Sequence, residues 1–153
     1  MNNPKPSTKM TDKKVKIVSS TLLLCSLLIL TLVLSIGCAS GVLKASLGKQ
    51  VSLRIGQTAE IDGEQLSITF DSVSEDSRCP KGVMCIRAGE VKCSVTVTYK
   101  DSPSVITLVQ PGTTEPATET YERYTLVYSV EPYPEAGRPI SDSDYRLNLT
   151  VEK

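Results

Sequence analysis

From residue 50 onward, apolar and polar side chains alternate in short runs separated by turn residues. The cleanest run places Val91, Cys93, Val95, Val97 and Tyr99 between Lys92, Ser94, Thr96, Thr98 and Lys100. A period of two sends the first set to one face of a strand and the second to the other. The same alternation runs through Val51, Leu53 and Ile55, through Leu66, Ile68 and Phe70, through Tyr124, Leu126, Tyr128 and Val130, and through Tyr145, Leu147, Leu149 and Val151. Ala59 and Ile61 precede the tight-turn dipeptide Asp62-Gly63. The run Ser104 to Val109 follows a turn expected at Asp101-Ser102-Pro103. No helical period of useful length interrupts this rhythm, so about seven strands are expected in an all-β domain spanning residues 50–153. Strands with one polar face bury only the other. Two such sheets packed face to face make an antiparallel β-sandwich, with a closed barrel as the alternative. Pro111 to Glu119 and Glu131 to Asp144 carry no periodicity and read as loops.

The N-terminal third has a different pattern. Ile17 to Ile36 is a run of twenty residues without a charge, preceded by Lys5, Lys9, Lys13, Lys14 and Lys16. A helix of that length spans ~30 Å, the thickness of a bilayer core. The lysines predict that their side stays cytoplasmic. The end of the run, Leu34-Ser35-Ile36-Gly37-Cys38, resembles the lipobox of bacterial lipoproteins. That resemblance implies cleavage after Gly37 and acylation of Cys38. Residues 1–37 are thus either a signal peptide or a retained transmembrane anchor, and residues 38–49, with Gly41, Gly48, Ser40 and Ser46, read as a flexible tether. Both readings hold the β-domain at the cell membrane, facing away from the cytoplasm.

The whole chain balances at 17 basic and 17 acidic residues, but the lysines before the apolar run distort that balance. From Cys38 onward 12 basic residues face 16 acidic ones, a net of −4. That charge gives no reason to expect nucleic acid or anionic lipid as a partner. There is no histidine, which removes the commonest metal ligand and the commonest general base. No catalytic motif, metal set or cofactor fingerprint emerges. The pair Asp142 and Asp144 has calcium-loop spacing but lacks the other oxygen ligands.

Cys79 and Cys85 enclose five residues that include Pro80 and Gly82, so the chain can turn back on itself. In an oxidising compartment a disulfide is expected here. A loop this short contributes about 2–2.5 kcal/mol by chain-entropy reasoning. Cys93 lies on the apolar face of its strand and reads as a buried free thiol. Acidic Glu75, Asp76 and Glu90 stand near Arg78 and Arg87, where surface ion pairs would contribute little. The stretch from Asp76 to Pro80, followed by Cys85 to Glu90, resembles a DSRCP…C-x-x-AGE pattern of small secreted or lipid-anchored prokaryotic proteins of unknown function. The resemblance implies a lipoprotein-like β-domain with a disulfide. It implies no activity.

These readings point to a binding or structural module that presents loops to a protein or glycan partner. Asp76 to Glu90, Pro111 to Glu119 and Glu131 to Asp144 are the candidate surface, with Lys81, Met84, Tyr121, Tyr124, Tyr133 and Arg138 as candidate contact residues. A second expectation is a surface-anchored protease inhibitor that inserts Pro80 to Met84 into a cleft. An enzyme is the least favoured class.

Overall fold

A computed structural model describes residues 41–153. The segment read as signal peptide or membrane helix, and Cys38, lie outside the described residues. Nine strands form: β1 (Val42–Ala45), β2 (Val51–Arg54), β3 (Thr58–Ile61), β4 (Leu66–Asp76), β5 (Glu90–Tyr99), β6 (Ser102–Pro111), β7 (Ala117–Tyr121), β8 (Tyr124–Glu131) and β9 (Arg146–Glu152). They make two sheets, ordered β1-β3-β4-β5-β6 and β2-β9-β8-β7. Among the described residues the structure is all-β. Every pairing is antiparallel except β1 with β3, which is parallel.

Alternation accounts for the core. Ile68, Phe70, Val91, Cys93, Val95, Val97 and Leu108 from the first sheet join Leu53, Tyr124, Leu126, Leu147, Leu149 and Val151 from the second in one buried cluster. The intervening Lys92, Ser94, Thr96 and Thr98 remain partly exposed. With no tryptophan and one phenylalanine, tyrosines supply much of the core volume. Their hydroxyls find partners: Tyr128 donates to the Val109 carbonyl at 2.9 Å, joining β8 to β6 across the two sheets. Gln110 adds a second tie between sheets, its Oε1 accepting the Val130 N–H at 2.7 Å. Burial pushes the Cys93 thiol up to about 12, so it stays neutral.

Three expectations about elements need correction. The stretch read as a tether contains β1, whose Ala45 is buried and whose Leu43 packs on the core. Four residues between Gly41 and Ser46 are too few to display a period, and parallel pairing to β3 supplies their ladder. The stretch read as the loop Pro111 to Glu119 holds the start of β7, an edge strand whose middle is exposed throughout. Its pairing with β8 holds it, not alternation. The β5–β6 turn falls at Lys100 and Asp101, both at positive φ, and Pro103 belongs to β6. Proline is tolerated there because β6 is an edge strand. β4 also runs on to Asp76 past two register shifts, between Phe70 and Ser72 and between Val73 and Glu75. Those bulges break the period that marks its first half.

At the β3–β4 turn, Glu64 gathers donors from distant parts of the chain. Its carboxylate accepts from Lys153 at 2.6 Å, Tyr124 at 2.6 Å and Arg123 at 3.0 Å. The Lys153 and Tyr124 hydrogen bonds hold its carboxyl down at about 2, against an ordinary 4.5. A carboxyl depressed in this way adds stability above pH 4.5 and loses it as pH falls toward 2. Urea midpoints measured from neutral pH to about pH 2 should therefore fall on the acid side, and Glu64→Gln should flatten that fall. An acid profile for the variant that matches the wild type would refute the role given to Glu64.

Candidate functional site

The cysteine segment joins β4 to β5, and a buried ion pair fixes its entry. Asp76 ends β4, and Arg78 lies two residues on, with its side chain only 1% exposed. Arg78 Nε donates to Asp76 Oδ1 at 2.8 Å and Nη2 to Oδ2 at 2.6 Å, a bidentate fork. Nη1 also donates to the Val130 carbonyl at 2.7 Å, and Nη2 to the Pro132 carbonyl at 2.9 Å. The guanidinium lies 5.1 Å from the Tyr133 ring centroid. Asp76 also accepts from the Tyr145 hydroxyl at 3.1 Å. Burial pushes the Asp76 carboxyl up; Arg78 more than offsets this, leaving it below the ordinary value. Burial, with the Asp76 charge beside it, pushes Tyr145 up to about 12. The expectation of a weak surface pair at Arg78 is thus corrected: this pair is buried and fully engaged.

A short ladder continues the β4–β5 pairing into the loop. Ser77 N–H donates to Glu90 O at 2.8 Å, and Cys79 N–H to Ala88 O at 2.8 Å. Gly89 has φ +72°, and a Cβ there would collide with the Ser77 carbonyl. A Cβ on Gly112 would collide with the Ala88 carbonyl, and Gly112 N–H donates to Gly89 O at 2.8 Å. The two glycines let three backbone segments pack against each other. Beyond this brace, Cys79 and Cys85 form a disulfide with Cα atoms 5.9 Å apart. The tip then presents apolar side chains to water: Met84 is 99% exposed, Ile86 104%, and Val83 is also exposed.

The Glu131–Asp144 connection packs beside this loop. It starts with a cis peptide at Glu131–Pro132. Lys81 N–H donates to Pro134 O at 2.9 Å, and Lys81 O accepts from Ala136 N–H at 3.3 Å. The Lys81 ammonium lies 5.7 Å from the Tyr133 ring centroid, and the Tyr133 hydroxyl donates to Gly112 O at 3.0 Å. A groove of about 270 Å³ runs along Pro132, Tyr133, Glu135, Arg138, Ile140 and Asp144. Arg138 pairs with Glu135 at 3.7 Å in the open. Asp144 is drawn into its own turn, accepting from Ser141 Oγ at 2.8 Å and Ser141 N–H at 3.2 Å. Those Ser141 hydrogen bonds lower its carboxyl. Among the described residues no group of three His, Cys, Asp or Glu side chains is placed to hold a metal ion.

Of the six candidate contact residues, Lys81, Met84, Tyr133 and Arg138 come together at this end of the domain. Tyr121 and Tyr124 flank the β7–β8 turn instead. Tyr124 is a correction: it is 0% exposed, a core residue bonded to Glu64. Its place in the alternation with Leu126 and Tyr128 already marked it as inward-facing. Val83, Ile86, Asp76, Arg78 and Gln110 were not singled out as contact or clamp residues. The two-residue spacing of Asp76 and Arg78 at a strand end, which puts both on one face, was the available signal for the clamp. Comparisons with protein families, curated proteins and solved structures find no match to the chain.

Arg78→Ala leaves Asp76 and two carbonyls buried without their donor. Removing one partner of a buried pair costs about 3–5 kcal/mol, and Arg78→Lys should recover only part of it, lacking the fork. Urea unfolding checks this. A loss below about 1 kcal/mol for Arg78→Ala, the range of a surface pair, would refute the clamp.

Proposed function

We propose that the chain is a membrane-tethered, extracytoplasmic β-sandwich lipoprotein or single-span protein that acts by binding, with the Cys79–Cys85 loop as its recognition element. The observation that carries this reading is the loop tip. Met84 and Ile86 stand in water on a segment held by a disulfide, a backbone ladder and the Arg78 clamp. Solvated apolar side chains grouped on one protrusion mark interaction surfaces. A braced loop loses little conformational freedom when its partner covers it. Export is supported by the lysine-flanked apolar run, by the lipobox-like end at Cys38, and by the disulfide, a bond that oxidising compartments sustain.

The inhibitor reading of the same loop is weaker. A loop that enters a protease cleft offers free backbone as an added strand. Here the Lys81 N–H and C=O are both engaged, by Pro134 and Ala136.

Fractionation of bacterial cells expressing the full chain tests the tether. The chain should stay with the membrane pellet after alkaline carbonate, and mass spectrometry should find either an acylated Cys38 as the N-terminus or an intact Met1. Cys79 and Cys85 should resist alkylation until a reductant is added. A chain that washes off, with both thiols open to alkylation, would overturn the proposal.

A further inference from the structure

We propose that the surface bound by the Cys79–Cys85 loop is the anionic bilayer to which the chain is tethered, so that Val83, Met84 and Ile86 enter the lipid interface while Lys81 and Arg87 meet its headgroups. This deepens the binding function proposed above and rests on the tether it assumes. Three observations carry it: the charge of the loop, the residues at its tip, and the length of chain left between anchor and fold.

The domain is acidic on average, but this loop is not. From Ser77 to Gly89 there is no acidic residue; Arg78 is neutralised by Asp76, which leaves Lys81 and Arg87 as outward charges. Beside the loop, Glu75 and Glu90 share the single Lys92 at 2.9 and 3.0 Å and Glu135 pairs with Arg138, while Glu115, Glu131, Asp142 and Asp144 stand exposed in the neighbouring connections. An apolar tip collared by basic residues fits an anionic membrane interface, where a basic side chain near the headgroups is attracted and an apolar one is sheltered from water.

The described domain also begins with a strand whose start faces the loop end of the fold. Val42 pairs with Thr58, and Thr58 with Thr69, so β1 begins level with the middle of β4. β1 runs antiparallel to β4, and its N-terminal end therefore points toward Asp76 and the loop. Cys38 is four residues before Val42, about 14 Å of chain at most; a helix ending at Ile36 leaves about 20 Å. From Thr69 to Asp76, β4 extends roughly 23 Å before the loop begins. The link is shorter than the distance by which the loop end overhangs its attachment point.

The chain has no tryptophan, so one introduced tryptophan is a unique probe. The full chain, purified from membranes in detergent, is reconstituted into vesicles of phosphatidylcholine and phosphatidylglycerol with brominated acyl chains. Tryptophan in Met84→Trp, and independently in Ile86→Trp, should show blue-shifted emission and quenching by the bromines. Tryptophan in Asp62→Trp, at the opposite end of the fold, should show neither. Adding Lys81→Glu and Arg87→Glu to Met84→Trp should abolish most of the quenching. If the chain floats with the vesicles but Met84→Trp and Ile86→Trp are quenched no more than Asp62→Trp, lipid docking is overturned and a protein partner takes its place. Quenching that persists unchanged in the charge-reversed variant overturns the role of the headgroups. A chain that fails to float overturns the tether, and the docking with it.

Discussion

The Arg78–Asp76 pair is the constraint on which the distinctive end of this domain depends. Removing an isolated guanidinium and carboxylate from water costs several kcal/mol each, and their attraction repays this only when every remaining donor and acceptor is used. Here the fork to Asp76, the carbonyls of Val130 and Pro132, the Tyr145 hydroxyl and the Tyr133 ring together meet that condition. The partners belong to β4, to the end of β8, to the connection after it and to the residue before β9. The fork adds a geometric requirement that a hydrophobic cluster of equal volume would lack. Asp76 and Arg78 thereby act as a latch, and Gly89 leaves the space that lets the latched segments close together.

The opposite end of the fold uses the same device with different residues. Glu64 collects a tyrosine, an arginine and a lysine, and ties the β3–β4 turn to the β7–β8 turn and to the chain's last residue. In both places a tyrosine brings apolar bulk to the core and donates its hydroxyl to the carboxylate that rims it. This suits a core short of large aromatic residues. It also assigns both carboxylates a structural task. Each is saturated with donors and lowered in pKa, the opposite of what a proton-transferring group near neutral pH requires. The buried Cys93 thiol, pushed up to about 12, is equally unsuited to act as a nucleophile. These three groups are fitted to hold the shape of the domain.

What could be read from the chain divides along a physical line. A face buried in the core leaves a period of two, so Val91 to Tyr99, Tyr124 to Val130 and Leu147 to Val151 were legible, as was the disulfide across five residues. Elements held by their neighbours' backbones leave no such trace. β1 and β7 are ordered because β3 and β8 offer open ladders, and nothing in Val42–Ala45 or Ala117–Tyr121 announces those partners. The clamp was half legible. Asp76 and Arg78 are near neighbours, but the carbonyls that make burial of Arg78 tolerable lie more than fifty residues away, at Val130 and Pro132. The apolar tip was half legible too: Met84 stood out for its place inside the disulfide, whereas Ile86 gained meaning only once the loop was seen to project into water.

Recognising β1 as a strand changes more than the strand count. A flexible tether of a dozen residues would let the domain reach freely above a membrane, and no face of it would be favoured. Val42 is instead fixed in the same sheet that carries the cysteine loop through β3, β4 and β5. The start of β1 and the loop are then two points on one sheet. Average charge conceals the loop's own character, since the domain carries a net of −4 while Ser77 to Gly89 holds no acidic residue. For a protruding loop, the charge that counts is that of its own residues and of the neighbours within a screening length.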